Sequence, residues 1–259
     1  RRSAETAAAP VVGVLGAKGG CGATTVCVNL SIALAQAGHK TTIIDANLQH
    51  PDVAQLIGKE PLHSMMELLV RAADLDKPLY HACCTDVVEG MPNLHLLSPA
   101  LNGEAAVQTN LSNLASCLSA MRSYSDFWVL DLPRHVDKHL VTLTDMCDRI
   151  VLVFEATVSG VATSQRWLSV FKELGYPDER IVSLVNRAGS KFKAVEKQLP
   201  LCFGDRPLHT LPNASEAMWN ASTRAVPICA AEPKHQYTAA MSRLAQQLSQ
   251  SILKGESIG

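Results

Sequence analysis

The sequence predicts an α/β fold in which a mostly parallel, twisted sheet is covered by helices on both faces. Three observations predict it. Short apolar runs of strand length alternate with segments of helix length along the chain, the pattern of crossover units. Five of those runs end in glycine or a polar residue, at Gly16, Asp45, Asp131, Glu155 and Asn186, and ligands of open α/β sheets bind at the carboxyl edge. A glycine-rich turn, Gly16 to Thr25 (G-A-K-G-G-C-G-A-T-T), joins the first apolar run to the first helix.

Residues 1–10 (R-R-S-A-E-T-A-A-A-P) have linker-like composition and no initiator methionine, so the chain is expected to be a piece of something longer, cut before its first core strand. Val11 to Leu15 then reads as a buried parallel strand, because it is continuously apolar rather than alternating. A helix is expected over 25–37, stopped at Gly38. Further strands are expected at 40–45, 94–97, 126–131, 150–155, 180–186 and 209–211, and helices at 64–74, 103–122, 160–174, 214–223 and 236–253. In the last helix Met241, Leu244 and Leu248 share a stripe, the spacing of a core face. No internal repeat divides residues 11–253, so one domain is expected there, with a short tail at 254–259.

The turn carries the chemistry. Strand, glycine-rich loop and helix N-terminus together aim backbone N–H groups at an anion. Gly19, Gly20 and Gly22 permit positive φ and close backbone approach. The phosphate-loop pattern G-x-x-x-x-G-K-[ST] ends here on Gly22, Ala23 and Thr24: the hydroxyl that ligates Mg²⁺ is present and the lysine is not. A different lysine, Lys18, stands near the start of the loop. Asp131, after the apolar Phe127-Trp128-Val129-Leu130, has the setting of a carboxylate that holds Mg²⁺ through water. The chain is thus expected to have a Rossmann-like P-loop NTPase fold.

Composition narrows the rest. With 259 residues, 47% hydrophobic and 18% charged, the chain can bury a full core. Its net charge of −1 gives no field that draws it to nucleic acid or anionic lipid. The basic group Arg187, Lys191, Lys193 and Lys197 reads as a solvated helix face. Eight scattered cysteines without a C-x-x-C pattern fit reduced thiols in a cytoplasm. No apolar run reaches the ~18 residues of a membrane span. His135 and His139 have the i, i+4 spacing of a zinc helix but lack the glutamate of H-E-x-x-H, so a solvated helix is expected instead. No G-x-S-x-G appears, and Cys83-Cys84 has no activating partner in sequence.

The motifs K-G-G-x-G-x-T-T at 18–25, Asp45 ending the second strand and D-L-P-R at 131–134 resemble the deviant Walker A superfamily that includes ParA and MinD. Within it, residues 16–25, 45–49 and 131–135, with Val185-Asn186-Arg187 and Leu211-Pro212-Asn213, are most similar to the TadZ/CpaE family of Tad (Flp) pilus assembly proteins. The likeness runs from Val11 to about Leu248. Members often carry a receiver-like domain ahead of this one, consistent with the abrupt start at Arg1.

The resemblance implies roles. Lys18 is matched to the signature lysine that reaches across an ATP-sandwich homodimer. Gly19, Gly20, Cys21, Gly22, Ala23, Thr24 and Thr25 would wrap the phosphates of ATP or ADP. Mg²⁺ would be held by Thr24, Asp45 and Asp131, partly through water. Asn186, with Arg187 beside it, would read the adenine edge, and Pro212-Asn213 would cover the base. Asn47 replaces the second aspartate of the D-x-D pattern that orients the attacking water. With Ala23 and Asn47 both departing from the active pattern, hydrolysis is expected to be very slow. A preorganised group lost at a developing charge costs ~10²–10³ in rate. The implied role is a cytoplasmic dimeric localisation and assembly factor. Its expected partners are pilus secretion-machine proteins, including the motor ATPase, which would recruit it to a cell pole or the inner face of the membrane. No specific nucleic acid and no direct membrane anchor are expected. A ParA-like partition ATPase for DNA or cargo, or a P-loop kinase or amidoligase, would need the missing lysine, and the first also a basic face.

Overall fold

The computed structural model describes residues 9–48, 51–99, 112–189, 196, 199–255 and 258. Its strands are β1 (Val11–Gly16), β2 (Thr41–Asp45), β3 (Thr85–Asp86), β4 (Leu94–Leu97), β5 (Phe127–Asp131), β6 (Arg149–Glu155), β7 (Ile181–Ala188) and β8 (Leu208–Pro212). They form one sheet in the order β3-β4-β2-β5-β1-β6-β7-β8. All pairings are parallel except that of the two-residue edge strand β3 with β4. The chain leaves β1 toward β2 on one side, and later crosses from β5 to β6 on the other. Strand order therefore reverses at β1, the position where open α/β sheets bind ligands.

Alternation along each strand sorts side chains to two cores. Val12, Val14, Ile43, Val129, Val151 and Val153 pack on one face. Val11, Leu15, Ile44, Trp128, Leu130, Leu152 and Phe154 pack on the other. Gly13 sits on the second face for lack of room, since an added Cβ would lie 2.6 Å from Leu132 Cδ1 and 2.7 Å from Cys147 Sγ. A buried hydroxyl cluster also lies on that side: Thr42 Oγ1 is 2.6 Å from both Tyr80 Oη and Ser125 Oγ.

The first face is covered by α1 (Ala23–Gln36) and the C-terminal helix. Helix α1 is buried from Val26 to Ala35, and its one buried amide, Asn29, is satisfied by Thr25 O and the Cys229 N–H. It ends where expected, at Gly38 with φ 94°. The opposite face is covered by α3 (Met65–Val70), α4 (Lys77–Cys83), α5 (Ser112–Met121), α6 (Lys138–Met146) and α7 (Val158–Glu173); α2 (Val53–Leu56) is a single turn beside the loop after β2. A capping box of Ser64 and Glu67 starts α3. Helices α8 (Leu199–Phe203), α9 (Ser215–Thr223), α10 (Ile228–Ala231) and α11 (Gln236–Lys254) complete the chain.

Met241, Leu244 and Leu248 are buried against α1, as the stripe predicted. Residues 103–111 of the expected helix at 103–122, and the lysines 191, 193 and 197, lie outside the described residues. The expectation for Arg187 is corrected: it belongs to β7, not to a helix face. His135 and His139 do not share a helix, because Asp137 caps α6 and the helix begins only at Lys138. All eight cysteines are free. No helix among the described residues is long and apolar enough to cross a membrane.

Candidate functional site

The loop after β1 forms a cradle. Its backbone turns through Gly20 at φ 73° and Gly22 at φ 90°, left-handed conformations that glycine adopts without a Cβ penalty. Gly22 is the N-cap of α1, and no side chain caps that end, so the first N–H groups of the helix face the cavity in front of it. The cavity is about 310 Å³ and is walled by Gly20, Cys21, Gly22, Ala23, Thr24 and Thr25. Lys18, Asn47, Asp52, Asp131, Arg134 and Arg187 bring side chains to it from the surrounding loops.

Two carboxylates stand behind it. Asp45 and Asp131 are paired in register on adjacent strands and are both buried. Thr24 Oγ1 donates to Asp131 Oδ2 at 2.8 Å. Asp45 does not line the cavity; its oxygens accept the N–H groups of Asn47 (3.2 Å) and Val53 (3.1 Å). Burial pushes the Asp131 carboxyl up to about 7, against the opposing hydrogen bond from Thr24. Burial first, and then the Asp131 charge, pushes Asp45 up to about 8.

These shifts predict a pH effect on the nucleotide-free protein. A carboxyl whose folded pKa is raised favours the protonated folded state. Its cost is absent well below pH 3.8, where both states hold the proton, grows as pH rises through that value, and is complete above about 7. Asp131→Asn removes that cost and part of the Asp45 cost. The variant should melt several degrees above wild type at pH 8, with the gap closing toward pH 4. A gap that is equal at both pH values would refute the assignment.

Cations ring the outer rim. Glu155, at the end of β6, takes Lys18 Nζ at 3.3 Å and Arg187 Nη1 at 2.5 Å. Partial burial pushes the Glu155 carboxyl up, but the hydrogen bonds from Arg187 and Lys18 outweigh it and hold the group below its ordinary range. Lys18 is thus engaged within its own chain. Arg187 adopts φ 55°, unusual for a non-glycine residue, and turns its side chain toward Glu155.

A second cavity of about 290 Å³ adjoins the first and shares Gly22, Thr25 and Arg187 with it. Asn186, Pro212 and Asn213 line it, joined by Met218, Trp219 and Tyr237. Asn186 is fixed at both ends: its Nδ2 donates to Cys21 O and its Oδ1 accepts the Arg187 N–H, each at 2.9 Å. An added Cβ on Gly22 would lie 2.6 Å from Asn186 Nδ2, so the glycine and the asparagine lock the two cavities together. The buried Tyr237 hydroxyl has no hydrogen-bond partner among the described residues.

The residues fit a magnesium nucleotide. Phosphate fits the cradle because glycines stand where side chains would close it, and a helix N-terminus faces it uncapped. Mg²⁺ fits beside Thr24 and Asp131, whose buried carboxyl lacks a cation. Among the described residues no three His, Cys, Asp or Glu side chains gather around one point. Sequence reasoning missed Asp52, Glu155 as an ion-pair hub, the approach of Arg134 and the Met218–Trp219–Tyr237 wall. The exposed Trp219 in an otherwise polar stretch was the one signal available for that wall.

Comparison with known proteins agrees. A family model described as an AAA domain (AAA_31) matches residues 9–174. The septum site-determining protein MinD of Thermotoga maritima is 22% identical over 179 residues, which are 68% of this chain and 64% of that protein. The match thus spans about two thirds of that relative. Among solved structures, a ParA family ATPase from Chlorobium tepidum TLS superposes with a TM-score of 0.83 at 21% identity, covering 92% of this chain and 98% of that one. MinD of Pyrococcus horikoshii OT3 complexed with Mg-ADP gives 0.76 at 19% identity, covering 93% and 96%. The chain therefore belongs to the AAA domain family AAA_31, and it is similar in sequence to MinD and in fold to ParA and MinD proteins.

Proposed function

We propose that the protein binds Mg-ATP and Mg-ADP in the paired cavities, turns nucleotide over slowly or not at all, and works as a dimeric localisation and assembly factor of a Tad (Flp) pilus secretion machine. The observation that carries nucleotide binding is the uncapped glycine cradle with Thr24 and Asp131 joined behind it at 2.8 Å. The backbone from Gly19 to Thr25 would hold the phosphates. Asn186, Pro212 and Asn213, with Met218 and Trp219, would enclose the base. Bound Mg²⁺ would neutralise phosphate charge next to Thr24 and Asp131, with Asp45 behind them.

Slow turnover follows from Ala23 and Asn47. An asparagine amide can hydrogen-bond a water but cannot act as an acceptor-only anion. The pilus role is supported by the motif likeness at residues 16–25, 45–49, 131–135, 185–187 and 211–213. Partners of that machine would supply its cellular address. The dimer reading requires Lys18 to leave Glu155, which keeps Arg187 as a partner, and reach the partner's phosphates.

The test is calorimetric titration with Mg-ATP and Mg-ADP, with molar mass followed by light scattering. Wild type should bind both nucleotides and dimerise with ATP. Lys18→Ala should keep ADP binding and lose the ATP-dependent dimer. A Lys18→Ala protein that still dimerises with ATP refutes the trans role. The competing partition-ATPase reading predicts salt-dependent DNA binding by the ATP form, which the charge of −1 argues against.

A further inference from the structure

We infer that Arg134 supplies, from within the same chain, the phosphate-binding cation that position 23 lacks. This rests on the nucleotide-binding reading above and adds a residue to it.

A phosphate loop ordinarily places a lysine before its Ser or Thr so that an ammonium reaches the β- and γ-phosphates. Here Ala23 ends at a methyl group. Among the described residues three basic side chains reach the phosphate cavity, Lys18, Arg134 and Arg187. Lys18 and Arg187 already share one carboxylate, Glu155. Arg134 forms no ion pair with any described residue. Among the described residues it is the cation of the cavity that no carboxylate holds.

Its position is set by the chain. Strand β5 ends at Asp131, and Leu132-Pro133 carries the backbone away from the sheet edge, so Arg134 leaves the turn facing the loop after β1. The guanidinium lies over Gly19: a Cβ built there would be 3.0 Å from Arg134 Nη1 and 3.6 Å from both Cζ and Nη2. Gly19, unlike Gly20 and Gly22, does not have a positive φ. Backbone conformation therefore does not demand glycine at 19, and the guanidinium packs beside the space its missing Cβ leaves. A planar guanidinium offers two parallel N–H groups to phosphate oxygens, a geometry that a lysine at 23 could not copy. Because Arg134 is solvent-exposed, it can shift onto an arriving phosphate without breaking a structural contact.

The experiment titrates the full chain with Mg-ATP, Mg-ADP and adenosine. Arg134→Ala should weaken ATP and ADP binding by ~10–100-fold and leave adenosine affinity and melting temperature unchanged. Ala23→Lys should restore most of the lost affinity in the Arg134→Ala background and add little to wild type. Three results would overturn the inference. One is unchanged ATP and ADP affinity in Arg134→Ala. Another is an equal loss for adenosine, which would place the effect on the base cavity. The third is the same gain from Ala23→Lys in both backgrounds. A wild type that binds none of the three probes overturns the nucleotide reading and this inference with it. Wild-type binding with an unaffected Arg134→Ala overturns this inference alone.

Discussion

Ala23→Lys combined with Asn47→Asp is expected to raise ATP turnover at least ~10²–10³-fold over wild type, measured as phosphate release at saturating Mg-ATP. Position 23 opens α1 and lines the phosphate cavity, so an added lysine stem starts at the cavity wall. Asn47 lines the same cavity, and its N–H is tied to Asp45 Oδ1 at 3.2 Å, which fixes where its side chain starts. An aspartate there can take a proton from a water, which the amide cannot.

The same geometry sets a cost. A third carboxylate would stand near Asp45 and Asp131, whose pKa values are already pushed up by burial. The double variant should therefore lose melting temperature above about pH 8, where all three would ionise. If the double variant binds ATP and its turnover stays at the wild-type level, the two departures do not explain slow hydrolysis.

Much of this was legible in the sequence, for a physical reason. Strands buried on both faces must be apolar throughout, so β1, β5 and β6 stand out as runs. The two-residue β3 is polar and too short to show a pattern, and it is the antiparallel edge that the reading omitted. The four-residue helices α2 and α10 were missed because one turn carries no periodicity, and the solvated helix expected around residues 135–139 starts later, at Lys138 behind its capping Asp137. Strand-end positions predicted the carboxylates well, since a parallel sheet brings all carboxyl ends to one edge. What no sequence pattern encodes is pairing across that edge. Glu155 joins residues 18 and 187, and Asn186 ties the base cavity to Cys21 of the phosphate loop. Asn186 was expected to read the base, yet both ends of its amide are taken by the protein's own backbone.

Gly22→Ala is expected to weaken Mg-ADP binding by ~100-fold and lower the melting temperature by ~5–10 °C. Two separate costs add. An alanine held at φ 90° bears about 1–2 kcal/mol for the left-handed conformation. Its methyl would lie 2.6 Å from Asn186 Nδ2, so the amide must leave Cys21 O, a buried hydrogen bond worth about 1 kcal/mol. Gly20→Ala is the control, because Gly20 has φ 73° and an added Cβ meets no protein atom within 4 Å. It should bear the conformational cost alone and melt above Gly22→Ala in the nucleotide-free state. The contact is isolated by a double-mutant cycle, since Gly22→Ala should cost less when Asn186 is already alanine. If the two changes instead add independently, Asn186 does not limit position 22. The link between the phosphate cradle and the base cavity would then lie in the backbone of the loop rather than in that side chain.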